Sequence, residues 1–296
     1  MEDLLLDTLL YKAYANSFDV HNIADYTLCI KVHQSCLSLC IYHEKSHTCL
    51  GIEAYETKTN GTPEKLTAFM EDLFSRHAFL NAVFWKEIKV VISHSQYSLI
   101  PSELLEEDTE LQAFLQLNCS FEPSQHTLVQ NELPHSKVTI GFPIANVLYR
   151  WFTKFYRNNE VKFYHSSFSI LHYLLEIDQA KEYTKTLNLL VAGDQLTFFY
   201  KVNSQPVLVN SFTFKSPNDF IYYTLFILEE LKLSTKHTAV RIWGDLAEDT
   251  PEIQHLKRYA AHLIFGRRPK KINYNYISTD IPEHYAFDLM ALMHCK

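Results

Sequence analysis

A chain of 296 residues that is 47% apolar and 21% charged has the composition of a globular protein long enough for two cores. Its net charge of −7 argues against a general surface for nucleic acid or anionic membranes, and no apolar run approaches the roughly 20 residues that span a bilayer. The opening, MEDLLLDTLLYKAY, lacks the basic region and cleavage site of a secretory signal. With six cysteines expected to stay reduced, the expected compartment is the cytoplasm.

In chain order, Met1–Ala15 fits helical and strand spacing equally. Three β-rich runs follow, Tyr26–Val32, Cys36–Tyr42 and Cys49–Thr57, the first two alternating in character as half-buried strands do. Thr62-Pro63-Glu64-Lys65 reads as a capped helix start leading into Leu66, Phe69, Met70, Leu73 and Phe74. Lys89–Ser93 reads as a buried strand, Pro101–Leu117 as one or two helices, and Thr127–Pro143 as strand-like runs broken by Pro134. Ile144–Arg157 reads as an aromatic helix, Val161–His165 as a strand and Ser167–Ala180 as a helix.

After Lys181 the pattern restarts. Leu187–Val191, Leu196–Val202 and Val207–Phe214 are three strands, and Ser216-Pro217 repeats the Ser/Thr-Pro start for a helix over Asp219–Leu233. A strand Ala239–Trp243, a helix Pro251–Phe265, a strand Lys271–Tyr276 and a helix Pro282–His294 close the chain. Thr62 and Ser216, like Leu37 and Leu196, lie roughly 150–160 residues apart, a domain-sized spacing. The expected architecture is therefore α/β and duplicated, each half a mixed sheet of three antiparallel then parallel strands flanked by helices. Residues 1–182 form the first domain, with an insertion around 108–143, and residues 183–296 the second.

This order resembles the actin-like fold, the duplicated ribonuclease-H-like architecture of actin, Hsp70 chaperones, sugar kinases and pilus or division ATPases. Ala239–Leu256, AVRIWGDLAEDTPEIQHL, is similar to the strand, glycine turn, Pro and helix that approach adenosine in that superfamily. On SFDVHNIADYTLCIKV, LGIEAYE and VVISHSQYSLIPSELL, the chain resembles an uncharacterised bacterial family, found mainly in Bacteroidetes, with an actin-like fold and no established activity.

The resemblance implies where a nucleotide would sit. Actin-like ATPases hold phosphates between the first-hairpin turns of the two halves, with an Asp-x-Gly pattern whose Asp orients Mg²⁺; backbone approach to phosphate favours Gly. Glycine is scarce here, six residues where average usage of about 7% would give roughly twenty. In LNLLVAGDQLTFFYK (Leu187–Lys201), Gly193 takes the glycine position and Thr197 lies downstream. The Asp position falls on Val191, and Asp194 sits beyond the glycine. The first-half turn, Val32-His33-Gln34-Ser35-Cys36, has neither Asp nor Gly. In the adenosine turn Gly244 matches the first glycine and Asp245 replaces the second. The candidate ATP/Mg site is thus Gly193, Asp194, Thr197, Gly244 and Asp245, in degenerate form, and no cofactor is expected.

Other motifs carry less. A two-metal nuclease would need an acid on the first strand; Glu229 or Glu230 and Asp245 supply others, but Asn188 and Lys31 occupy the strands. Cys36, Cys40, His43, His47 and Cys49 suggest zinc by composition, yet Cys36 and Cys40 stand about 13 Å apart along a strand. The aromatic helix over Ile144–Arg157 is either a partner-binding surface or core, and Arg267–Lys271 is a basic loop. No Ser-His-Asp or Cys-His arrangement can be picked out among fifteen histidines. The expected function is a non-catalytic scaffold or module that binds a protein partner, not nucleic acid or membrane; the alternative is an ATP-binding or phosphotransferase enzyme with an altered site.

Overall fold

The computed structural model describes residues 8–57, 62–105, 108–134, 136–176, 185–203, 205–274 and 280–294. An edge strand, β1 (Leu9–Tyr14), precedes the hairpin β2 (Thr27–His33) and β3 (Cys36–His43), then β4 (Thr48–Glu56). Helix α1 (Pro63–Arg76) starts as its sequence dictates: the Thr62 side chain accepts from the Lys65 N–H, and Pro63 occupies the first turn, where a missing N–H costs nothing. Next come β5 (Glu87–Ile92), β6 (Ser98–Pro101), α2 (Asp108–Asn118), β7 (His126–Leu133), β8 (Val138–Ala145), α3 (Asn146–Phe155), β9 (Val161–His165) and α4 (Ser166–Glu176). The second half comprises β10 (Thr186–Ala192), β11 (Gln195–Val202), β12 (Gln205–Thr213), α5 (Pro217–Glu230), β13 (Ala239–Gly244), α6 (Pro251–Leu256), β14 (His262–Phe265) and α7 (Phe287–His294). Ser216 caps α5 by accepting from the Asp219 N–H.

The two main sheets repeat one order. The first runs β1-β4-β3-β2-β5-β9 and the second β12-β11-β10-β13-β14. In each, an antiparallel hairpin is extended by parallel strands, β5 beside β2 and β13 beside β10. Strand β1, from the stretch whose spacing is ambiguous, adds an antiparallel edge to β4. A third, antiparallel sheet, β6-β8-β7, runs from Ser98 to Ala145 and is backed by α2.

Alternation on β10 shows how the halves join. Leu187, Leu189 and Val191 belong to the second half's own core, with Phe220, Ile227 and Ile253 from α5 and α6, whereas Leu190 belongs to the first core. Helix α4 is buried from Ser166 through Leu174, the signature of a helix enclosed on every side. It packs against α7, and α7 against β2, β3 and β13, so the final helix of the chain is seated on the first sheet.

Near the C-terminus, two expected elements change type, and the closing helix begins at Phe287 rather than Pro282. The stretch Pro251–Phe265 is a helix only to Leu256, and His262–Phe265 instead pairs parallel with Ala239–Ile242. Four apolar-rich residues satisfy either period, and the open edge of β13 decides for strand. Lys271–Tyr276 is not the fifth strand; its described part makes an isolated bridge from Asn273 to Thr48, and residues 275–276 lie outside the described residues. The aromatic helix packs inward: Trp151 meets Phe74 edge-on at 5.1 Å and stacks on Phe155 at 4.9 Å.

Candidate functional site

The matching turns of the two halves meet. The β2–β3 turn carries Gln34 and Ser35, the β10–β11 turn Gly193 and Asp194. Gln34 Nε2 donates to Asp194 Oδ1 at 2.9 Å across 160 positions of sequence. Gly193 has φ +57°, and a Cβ there would lie 2.5 Å from both His33 Cε1 and Ser35 Oγ. Glycine is required because the opposing turn lies against it. The gap between the turns is occupied by His33, Gln34 and Ser35.

The second glycine turn is also covered by the chain itself. Gly244 ends β13 at φ +94°, where a Cβ would lie 1.9 Å from the Val191 carbonyl oxygen. Its N–H donates to the His284 carbonyl at 2.8 Å, and His284 Nε2 donates to the Leu246 carbonyl at 3.0 Å. Phe287 lies against Trp243 with ring centroids 3.7 Å apart.

Asp245 is drawn into an ionic cluster. Lys31, only 1% exposed, points its Nζ at Asp288 Oδ2 of α7 at 2.9 Å and at Asp245 Oδ2 at 3.7 Å. Asp245 Oδ1 accepts from the Ala286 N–H at 3.0 Å and from the Tyr11 hydroxyl at 3.4 Å. Burial works against the ammonium, but the carboxylates of Asp288 and Asp245 outweigh it and hold Lys31 above its ordinary value. Burial raises Asp288 above the usual carboxylate range, against the pull of Lys31. One cation between two carboxylates joins the first sheet, the second sheet and the last helix.

The five sequence candidates therefore divide. Gly193 and Asp194 face the opposite turn, and Gly244 and Asp245 face the segment His284–Asp288. Thr197, on β11, shares a hydrogen bond with Ser211 Oγ at 2.8 Å, and Ser211 in turn meets the Tyr97 hydroxyl at 3.0 Å. Lys31 and Asp288 are the residues that motif reading missed. The available signal was a lone Lys in LCIKV and a lone Asp in FDLMALM, opposite charges in otherwise apolar runs.

Two further clusters lie in the first half. Glu53, fully buried on β4, accepts from Tyr14 at 2.5 Å, His77 Nε2 at 2.8 Å and the Tyr55 hydroxyl, and pairs with Lys12 at 2.8 Å. Burial pushes this carboxyl up, but the four donors outweigh it and pull it down to about 2. Cys40 and Cys49 bring their Sγ atoms to 3.1 Å in the core, while His43 bonds Ser46 and His47 bonds Tyr42. Among the described residues, no three His, Cys, Asp or Glu side chains form a metal-holding group. No helix among them is long and apolar enough to cross a membrane.

With this geometry in place, comparisons supply a family. Residues 15–263 match the family described as protein of unknown function, DUF3822, and the chain belongs to it. A Bacteroides thetaiotaomicron protein with an actin-like ATPase fold and unknown function superposes with a TM-score of 0.79 at 21% identity, over 95% of this chain and 100% of that one. A chain of the PilM–PilN type IV pilus biogenesis complex superposes with a TM-score of 0.58 at 14% identity, over 90% of this chain and 96% of that one. No curated protein matches the sequence. The fold is actin-like, and at these identities the likeness concerns fold alone.

Proposed function

We propose that this protein is a non-catalytic actin-like scaffold that binds a protein partner in the cytoplasm. The observation that carries the reading is the direct contact of the two hairpin turns, Gln34 on Asp194 with His33 and Ser35 against Gly193. Phosphates held between those turns would have to displace protein atoms already packed there. The buried Lys31 does not favour a nucleotide either, because its charge is matched by Asp288 and Asp245. Nor does any Asp stand at the Val191 position to orient a metal. The partner-binding half of the reading draws support from the similar chain that occurs in a PilM–PilN complex.

Isothermal titration with ATP and Mg²⁺ tests the first half: no heat of binding is expected, and micromolar binding with turnover would return the protein to the phosphotransferase reading. Affinity purification from the native cytoplasm, with and without ATP, tests the second half. A specific partner recovered equally under both conditions is the expected result, and recovery that depends on ATP contradicts the reading.

A further inference from the structure

The basic loop Arg267–Lys271 borders a groove of about 610 Å³, and a cavity of about 770 Å³ adjoins it. His47, Lys271 and Ile272 line both, so the two form one trough. Thr27 and Glu87, the first residues of β2 and β5, line its far part. The trough therefore lies at the opposite end of the first sheet from the meeting turns.

The loop is fixed by its own backbone. Pro269 and Ile272 are buried, and the Ile272 N–H donates to the Pro269 carbonyl at 3.2 Å. Asn273 fastens the loop to the connection between β3 and β4: its N–H donates to the His47 carbonyl at 2.7 Å, and its carbonyl accepts from the Cys49 N–H at 3.0 Å. Arg268 Nη2 donates to the Ile281 carbonyl at 2.8 Å, and the guanidinium lies 5.5 Å from the Tyr274 ring centre. A surface held in this way loses little freedom when it is occupied.

Charge along the trough is unequally matched. At the β2–β5 end, Glu44 pairs with Lys86, and Glu87 with Lys162 at 2.8 Å and Lys89 at 3.6 Å. Glu176 lies 3.4 Å from His172. At the loop end, Arg267, Lys270 and Lys271 are exposed, and among the described residues none of the three enters an ion pair. Glu283 is the one acid lining that groove among the described residues. On a chain of net charge −7, the loop is a local surplus of positive charge. Beside it lie Ile272, Met293, Tyr42 and Tyr274, and Arg, Tyr and Met together are enriched at protein interfaces.

We infer that this trough docks an extended acidic segment of a protein partner, its carboxylates received by Lys270 and Lys271. The inference rests on the partner-binding reading and supplies the chemistry of the partner. Charge complementarity selects an acid. Size selects a stretch of chain, since spaces of roughly 300–1,000 Å³ already hold a molecule much larger than one carboxylate. The acidic remainder of the protein selects a narrow segment, because a duplex or a membrane would meet the repulsive field of the whole surface as well as the loop.

The test measures fluorescence anisotropy of labelled oligo-glutamate, oligo-serine and oligo-lysine peptides with the full chain. Oligo-glutamate alone is expected to bind, and to release as salt rises, because exposed charges are screened. Lys270→Glu with Lys271→Glu should weaken it about tenfold or more, the sum of several modest exposed charge contacts. The thermal midpoint should not change, since both side chains are exposed. Lys270→Ala with Lys271→Ala should give an intermediate loss, and it serves also if the reversal does not fold. The same reversal at Lys257 and Arg258, exposed just after α6, should leave binding within about twofold. Failure of oligo-glutamate to bind overturns the inference. So does binding that survives reversal of the loop, or that falls equally in the control reversal. Tighter binding of oligothymidylate or of phosphatidylserine vesicles would assign the loop to nucleic acid or membrane and overturn it too. Should the inference fail, a partner recovered from the cytoplasm equally by the parent and the loop variant keeps the scaffold reading; recovery of none by the parent overturns that reading separately.

Discussion

Replacing Lys31 with Met removes the cation that pairs with Asp288 while keeping most of the side chain's volume. Lys31 and Asp288 are 1% and 0% exposed, at 2.9 Å, whereas Asp245 at 3.7 Å is 21% exposed and can be partly hydrated. Breaking one side of such a buried pair costs about 3–5 kcal/mol, because the remaining charge is left without compensation. At about 2–4 °C per kcal/mol for domains of this size, the midpoint should fall by roughly 6–20 °C. The deficit should also depend on pH. Burial raises Asp288 even with Lys31 present, and loss of the cation raises it further. A raised carboxyl favours the protonated fold, so the Lys31→Met deficit should shrink as pH falls through the folded pKa and be largest above it. Lys31→Met combined with Asp288→Leu should recover to within about 1–2 kcal/mol of the parent, since an apolar replacement of a buried pair is often neutral. Denaturant midpoints for the two single variants and the double variant, at acid and neutral pH, measure all of this. A single-variant cost under about 1 kcal/mol, or penalties that simply add, would refute a buried ionic junction between the halves.

The other predictions use the same measurement. Glu53 has a folded pKa of about 2 against an ordinary 4.5, so its contribution is complete above about pH 4.5 and is lost as pH falls toward 2. The difference is worth roughly 3 kcal/mol, and Glu53→Gln should flatten that acid limb; an unchanged limb would show that other carboxylates set it. Gly244→Ala should cost about 3 kcal/mol or more, because its Cβ would strike the Val191 backbone at 1.9 Å in a conformation L-residues avoid. Gly193→Ala should cost less, about 1–2 kcal/mol, because the obstacles at 2.5 Å are side-chain atoms that can rotate; the reverse order would contradict the turn geometry. Gln34→Ala, which removes an exposed contact to Asp194, should cost no more than about 1 kcal/mol.

What could be read in advance was what local physics encodes. The Thr62-Pro63 and Ser216-Pro217 starts are both genuine caps, and their spacing exposes the duplication before any contact is known. The hairpins on either side of Gln34-Ser35 and Gly193-Asp194 follow from alternation and turn chemistry. The stretch HLIF reads as the end of a helix in the sequence, because four residues satisfy two periods and only the open edge of β13 selects strand. The closing helix begins at Phe287 rather than Pro282 for a related reason: its start is set by the segment before it, where the His284 carbonyl receives the Gly244 N–H. The Gln34–Asp194 contact and the Lys31–Asp288 pair join residues 160 and 257 positions apart, distances at which spacing carries no information.

The same distances explain why motif reading could not foresee the neighbours of Asp245. Beside a glycine turn, in a superfamily that binds adenosine, an Asp suggests a nucleotide or metal. In the folded chain its neighbours are a buried ammonium, a backbone N–H and a tyrosine hydroxyl, three donors that account for a carboxylate without any ligand. In the folded chain one turn lies against the other, and the last helix against both sheets. A junction of this kind favours a single relative orientation of the halves, because opening the two turns would separate Gln34 from Asp194 and expose Lys31 between carboxylates. On the proposed reading, a rigid frame is what a partner-binding scaffold requires, and it is the opposite of what a nucleotide-driven hinge requires.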